Sequence, residues 1–145
     1  MGLYNVFNVT GSAMSAQSVR LNTIASNLAN ADVASSSPDT IYRSKQPVFA
    51  AVMQALNGAP AGSSETGSAS AGVKVTGIVE SRAPGSKEYQ PGHPMADENG
   101  YIYRSNVNAI EEMANMMAAS RSYQNSVEVF NTSKQLLLKT LNMGR

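Results

Sequence analysis

The only histidine, His93, is the first residue to consider for chemistry, because imidazole can act as a base or bind a metal. It stands between two prolines in the segment PGHP, and Asp97 and Glu98 follow shortly after it. A catalytic histidine needs a nucleophile and an orienting partner, and a metal site needs further ligands. One imidazole with two carboxylates in a turn supplies neither set. We therefore predict a turn role for His93, no catalytic residue, no metal site and no cofactor.

The other reactive side chains also lack suitable partners. Glu111 and Glu112 are adjacent, so they point in different directions on a helix, and they suit its N-terminal dipole. Met113, Met116 and Met117 favour adaptable packing rather than metal binding. The sequence has no cysteine and no nucleotide-binding loop, zinc-protease or nucleophile-elbow pattern. A non-enzymatic protein is predicted; the alternative is a ligand-binding or catalytic module built on residues 73–106.

Composition narrows the class of protein further. The 145 residues suffice for one modest domain, and only 14% of them are charged. The net charge of +1 gives no electrostatic signal for nucleic acid. No apolar run approaches the roughly 20 residues that span a bilayer, so direct membrane insertion is not expected. The N-terminal segment MGLYNVFNVTGS lacks a basic region followed by a continuous apolar run, so it does not match a cleavable secretory signal.

Residues 1–33 predict an N-terminal helix. Large apolar residues recur every seven positions, and Ile24 accompanies them at a second helical position. The recurring residues are Phe7, Met14, Leu21 and Leu28. Gly11 weakens the helix locally, by about 1 kcal/mol relative to alanine.

Residues 107–145 predict a second long helix. Asn108, with Glu111 three residues later, resembles a capping box, and Gly144 is a suitable stop. Apolar residues then follow a 3–4 rhythm that is typical of a coiled coil. The residues that we expect to pack are Met113, Met116, Tyr123, Val127, Phe130, Leu137 and Leu141.

The middle of the chain predicts a variable loop or linker over residues 34–72 and a small β element over residues 73–106. Residues 48–56 fit either a short strand or a helical turn, and 58–72 are nearly all small residues, which indicates a flexible loop. Residues 73–81 alternate as a strand does. Residues 87–90 and 101–104 are its candidate partners.

Together these elements predict a mainly α fold. The two terminal helices have similar lengths, so we expect them to pair as an antiparallel coiled coil. The small β hairpin element and the flexible loop would then lie between them in sequence and at the far end of the pair.

The first helix is unusual because its polar positions are almost uncharged. Within residues 1–36 only Arg20 and Asp32 carry charge, and the segment LNTIASNLANAD presents asparagine and serine. Surface helices normally show charge to water, whereas uncharged polar groups can be buried at lower cost. Either the helix is covered by other subunits, or it is a weakly polar, alanine-rich helix of a monomer.

The two ends of the chain resemble the bacterial flagellar rod and hook proteins. The N-terminal likeness rests on Asn22, Ala25, Ser26, Asn27, Leu28, Ala29 and Asn30. Residues 116–145 are similar to the matching C-terminal helix of that family. Residues 89–124 are similar to a segment of its proximal rod proteins, although Ser105 stands where the pattern usually has proline, and Asn125-Ser126 replaces an Ala-Asn pair.

The resemblance implies a structural subunit of the flagellar basal-body rod, which crosses the periplasm. Such a protein would be exported by the flagellar type III apparatus and would polymerise without catalysis. Its implied partners are itself, other rod proteins (FlgB-, FlgF- and FlgG-like), the adaptor FliE at the MS ring and the export apparatus. Two alternatives remain: another proximal rod protein, and a cytoplasmic coiled-coil export adaptor or chaperone, which would form an ordered dimer.

Overall fold

The computed structural model describes residues 3–54 and 70–144. In the order of the chain, one helix precedes five strands and a second helix follows them. The elements are α1 (Leu3–Ala29), β1 (Ala34–Ser35), β2 (Lys45–Gln54), β3 (Ser70–Glu80), β4 (Lys87–Tyr89), β5 (Tyr101–Arg104) and α2 (Ala109–Met143). This confirms a mainly α chain with two terminal helices and small antiparallel sheets.

The two helices pack against each other and run in opposite directions. Near one end, the rings of Phe7 and Phe130 meet edge to face, with centroids 5.1 Å apart. Near the other end, the Asn27 amide donates to the Glu112 carboxylate at 3.0 Å. Residue numbers rise along α1 while they fall along α2, so the pair is antiparallel.

The start of α2 follows from the chemistry of its cap. Asn108 has an extended backbone, and its side-chain oxygen accepts from the backbone N–H groups of Ile110 and Glu111. These donors have no partner inside the helix, so an asparagine here stabilises its first turn by about 1 kcal/mol. At the other end α2 stops at Met143, beside Gly144.

A long antiparallel hairpin joins β2 to β3, with a register from Lys45–Glu80 to Gln54–Ser70. Residues 48–54 are therefore strand, which decides between the two interpretations of that segment. The expected pairing of residues 73–81 with 87–90 and 101–104 is wrong, because β3 pairs with β2 instead. Two strands of 10 and 11 residues satisfy each other's backbone groups along their length, which the short β4 and β5 could not do. Of the predicted loop over residues 58–72, positions 58–69 lie outside the described residues, and 70–72 are strand instead, as the start of β3.

A second sheet has the order β1-β5-β4, so the predicted pairing of residues 87–90 with 101–104 is right. Ile102 in β5 is completely buried, and Ile41 is also buried. Gly85 packs closely against Arg104 and Ile41. A Cβ added at Gly85 would overlap the carbonyl oxygen of Arg104 and would lie 2.7 Å from Ile41 Cδ1. Gly100 turns the chain between β4 and β5 at φ +77°, a conformation that suits glycine.

Helix α1 is covered on two sides within the chain, because it packs against α2 and also against the β2–β3 hairpin. The hairpin follows α1 closely. Lys45 contacts Asn27 near the end of the helix, and the Val73 N–H donates to Ser12 Oγ at 3.2 Å near its start. Most of the buried residues are small or polar, including Thr10, Thr23 and Ser133. The interior therefore contains few large apolar side chains.

Candidate assembly site

Asn27 joins α1, the start of β2 and the start of α2. Its Nδ2 donates to the Lys45 carbonyl at 2.8 Å and to Glu112 Oε1 at 3.0 Å. Its Oδ1 accepts from the Lys45 N–H at 2.9 Å and from the Tyr42 hydroxyl at 3.0 Å. The side chain is 1% exposed, so these bonds use both of its donors and its acceptor away from water. We call Asn27 with these three partners the asparagine junction.

The family-like motif at the end of α1 divides between two faces. Asn27 is buried, and Leu28 and Asn30 are half-buried. The other four motif residues are exposed: Asn22, Ala25, Ser26 and Ala29. Asn30 Nδ2 donates to the Ser26 carbonyl at 2.8 Å, which satisfies an acceptor in the last turn of the helix. Part of the motif therefore builds the fold, and part faces outward.

The exposed part of the motif continues along α1 back to Asn8. Exposed positions follow each other at intervals of three and four residues, which is one face of a helix. They are Asn8, Gly11, Ser15, Ser18, Asn22, Ala25 and Ala29, which we call the outer stripe. Every member is small or uncharged. Burial within the chain explains the lack of charge on the other two sides of α1, but it does not explain this side.

The residues predicted for helix packing differ in their exposure. Ile24 is buried at 4%. Nine others are half-buried: Phe7, Met14, Leu21, Leu28, Met116, Tyr123, Val127, Phe130 and Leu137. Met113 and Leu141 are 52% and 62% exposed, so they lie outside the interface between α1 and α2. Their packing in an assembly stays a prediction.

Small and polar residues complete the interface and were missed in the sequence. The buried residues of α2 are Glu112, Ala119 and Ser133, and Ser126 is half-buried between the last two. They recur every seven positions, as do Met116, Tyr123, Phe130 and Leu137. An apolar pattern cannot reveal serine or glutamate as interior residues, although their seven-residue spacing was visible.

Away from its contact with α1, helix α2 exposes large apolar side chains, which together we call its apolar side. Ile110 is 80% exposed and Met117 is 61% exposed. The same holds for Met113, Val129, Leu136, Leu138, Leu141 and Met143. A series of exposed apolar residues along one helix marks an interaction surface more often than isolated ones do.

The loop around His93 has a structural role. His93 Nδ1 accepts from the Met95 N–H at 3.1 Å, and Asp97 Oδ1 accepts from the N–H groups of Asn99 and Tyr101 at 2.8 and 2.9 Å. The bond from Tyr101 is the main reason that the pKa of Asp97 lies below its usual value. These side chains shape the β4–β5 connection. Within the described ranges, no cluster of three potential metal ligands occurs and neither helix is long and apolar enough to cross a membrane.

Comparison with known proteins agrees with both ends of this architecture. Residues 7–34 match the family model described as "Flagella basal body rod protein", and residues 98–143 match "Flagellar basal body rod FlgEFG protein C-terminal". The chain is 49% identical over 145 residues to the flagellar basal-body rod protein FlgC of Escherichia coli O157:H7, with 100% of both chains covered. It is 48% identical to FlgC of Salmonella typhimurium and 47% identical to FlgC of Yersinia enterocolitica, also over 100% of each chain.

Proposed function

Since the chain belongs to the family of the flagellar basal-body rod protein FlgC, we propose that neighbouring subunits cover the outer stripe of α1 and the apolar side of α2. The protein is a structural subunit of the basal-body rod, and its relatives are structural proteins rather than enzymes. The observation that carries the proposal is the outer stripe, a helix face without charge that nothing in the described chain covers.

The α1–α2 pair is an antiparallel coiled coil in this proposal. Two series at seven-residue spacing support it, one of large residues (Met116, Tyr123, Phe130, Leu137) and one of mostly small residues (Glu112, Ala119, Ser126, Ser133). Alternation of large and small residues lets two helices interlock at close range. Accordingly, residues 1–33 and 107–145 form one terminal-helix unit, which carries the two sheets formed within residues 34–106; β3 crosses the boundary predicted between residues 72 and 73.

The outer stripe suits burial between subunits. Small side chains allow a second helix to approach closely, and serine and asparagine can form hydrogen bonds there without the desolvation penalty of an ion. The apolar side of α2 adds surface that releases free energy when it leaves water, about 25 cal/mol for each Å² buried. Both helices therefore offer one face to the chain itself and another to its neighbours.

The proposed partners are other rod proteins of the FlgB, FlgF and FlgG types, the adaptor FliE and the flagellar type III export apparatus. Family membership supports assembly with other rod proteins. The many small and polar residues of the interior support export, because a helix pair with few large apolar contacts is more easily unfolded for passage through a narrow channel.

A charge placed in the outer stripe tests the proposal. Ser18 is exposed, so Ser18→Lys should leave the unfolding free energy of the isolated chain within about 0.5 kcal/mol of the parent. In a packed rod the same lysine would lose its water, so basal bodies should form in strongly reduced number while secretion of the chain continues. The matched control is Ser36→Lys, an exposed loop position outside the stripe. Normal basal bodies with Ser18→Lys would refute burial of this face.

A further inference from the structure

A groove lies where α1, β2 and the start of α2 meet. Its volume is about 370 Å³. Ile24, Pro47 and Phe49 give it an apolar lining, Arg20 and Glu111 add opposite charges, and Gln46 lies at its border. Phe49 remains 39% exposed within it, so the chain itself leaves this lining open to solvent.

Arg20 has a special position in this groove. It is the only cation in residues 1–36, and within the described part of the chain it forms no ion pair. Lys45, the other cation of the groove, is held 3.6 Å from Glu80. A guanidinium that stands unpaired beside an apolar lining is suited to an acceptor that comes from outside.

The other end of the helix pair carries a segment with complementary chemistry. Since Phe7 is level with Phe130, Leu3 is level with roughly residue 134, and α2 continues for about two more turns, or 13 Å. Leu136, Leu138 and Met143 in this segment are 52%, 49% and 86% exposed. Within the described residues, the last turn of α2 contains no basic side chain, so the partial negative charge of its final carbonyls can attract a cation from outside. Lys139, one turn earlier, supplies a cation.

We propose that the groove receives the C-terminal helix end, residues 136–143, of a second copy of this chain in the rod. Arg20 then faces the carbonyls of the last turn, Leu136 and Met143, which are seven positions apart and share one helix face, enter the apolar lining, and Glu111 faces the lysine. This inference rests on the proposed function, and it identifies which part of the neighbour is bound.

The proposed contact is heterologous, since the groove and the projecting helix end lie at opposite ends of one helix pair. Such contacts repeat from subunit to subunit without closing, and they generate open helical assemblies rather than closed dimers. This geometry fits a subunit of a rod.

Site-specific photo-crosslinking in purified basal bodies tests the contact. Benzoylphenylalanine at Gln46, an exposed residue of the groove, should crosslink to a peptide from residues 136–143 of a second copy of this chain. The same probe at Glu98, exposed in the distant β4–β5 connection, should not. Mass spectrometry of the joined peptides identifies the segment.

A Gln46 product with any other segment, or none although the chain is present in basal bodies, would overturn the inference and leave the proposed function intact. Absence of the unaltered chain from basal bodies would instead overturn the proposed function. As a second variant, Arg20→Ala should leave unfolding of the isolated chain unchanged and lower incorporation into basal bodies about two- to five-fold. Arg43→Ala, outside the groove, is its control, and equal incorporation of the two would contradict the role of Arg20.

Discussion

The amide of Asn27 donates a hydrogen bond to the carboxylate of Glu112 at 3.0 Å, across a separation of 85 residues. Both side chains are buried, at 1% and 7% exposure. The bond ties the last turns of one terminal helix to the first turns of the other, at the point where the β2–β3 hairpin begins with Lys45. Asn27, one of the three asparagines of the motif, is thus a residue of the interior.

Asn27→Ala should lower the unfolding free energy by about 2–4 kcal/mol, because it leaves the Glu112 carboxylate and the Lys45 backbone groups buried without partners. Urea unfolding followed by circular dichroism measures the change. The control is Asn22→Ala on the exposed side of the same helix, for which about 0.5 kcal/mol or less is expected. Equal effects of the two substitutions would refute the asparagine junction.

Gly85→Ala should destabilise the β1-β5-β4 sheet by about 1–3 kcal/mol, because the new methyl group must displace the Arg104 carbonyl or the Ile41 side chain. The tyrosines of β4 and β5 report on this sheet by fluorescence, since the chain has no tryptophan. Gly92→Ala is a matched control in the following loop, where a Cβ meets no atom within 4 Å. A loss for Gly92→Ala as large as that for Gly85→Ala would contradict the steric explanation.

Gln17→Met should raise the unfolding free energy by about 1 kcal/mol. Gln17 Oε1 is buried and accepts no hydrogen bond from the described residues, and a buried acceptor without a partner is destabilising. Methionine has a similar length and removes the polar atom. Gln124→Met, exposed on α2, controls for the change in side-chain type. An unchanged or lowered stability of Gln17→Met would show that the acceptor is satisfied in solution.

The β4–β5 connection should lose stability in acid because of Asp97. Hydrogen bonding from the Tyr101 N–H, and then from Asn99, lowers the pKa of Asp97 below 3.8 in the folded chain. A carboxyl group with a lowered folded pKa contributes stability above its unfolded pKa of about 3.9, and loses it as the pH falls through the folded pKa. Unfolding measured from pH 7 downward should therefore show a loss that begins near pH 4.

Asp97→Asn keeps an acceptor oxygen but cannot titrate, so its stability should depend less on pH in this range. Some dependence should persist, because a hydrogen bond from Gln90 and the Arg104 charge also lower the pKa of Glu88. Identical pH profiles of Asp97→Asn and the parent chain would exclude Asp97 as the source.

The sequence by itself determined the two terminal helices and the family. Apolar residues at seven-residue spacing, Asn108 before a helix and Gly144 after it are local signals, since each depends on neighbours within one or two turns. The resemblance at the two ends was equally local, and full-length relatives at up to 49% identity confirm it. The sequence also determined the pairing of residues 87–90 with 101–104, because a short connection brings these two strands together.

Only the tertiary structure decided which strand pairs with β3 and which side of each helix is buried. Alternation of apolar and polar residues identifies a strand but not its partner. The partner of β3 is β2, and the composition of the connection between them predicts only a loop. Serines and a glutamate complete the interface because the helices approach closely and Asn27 supplies a donor for Glu112. Burial of such residues depends on what lies opposite them, which is a property of the folded chain and not of any segment.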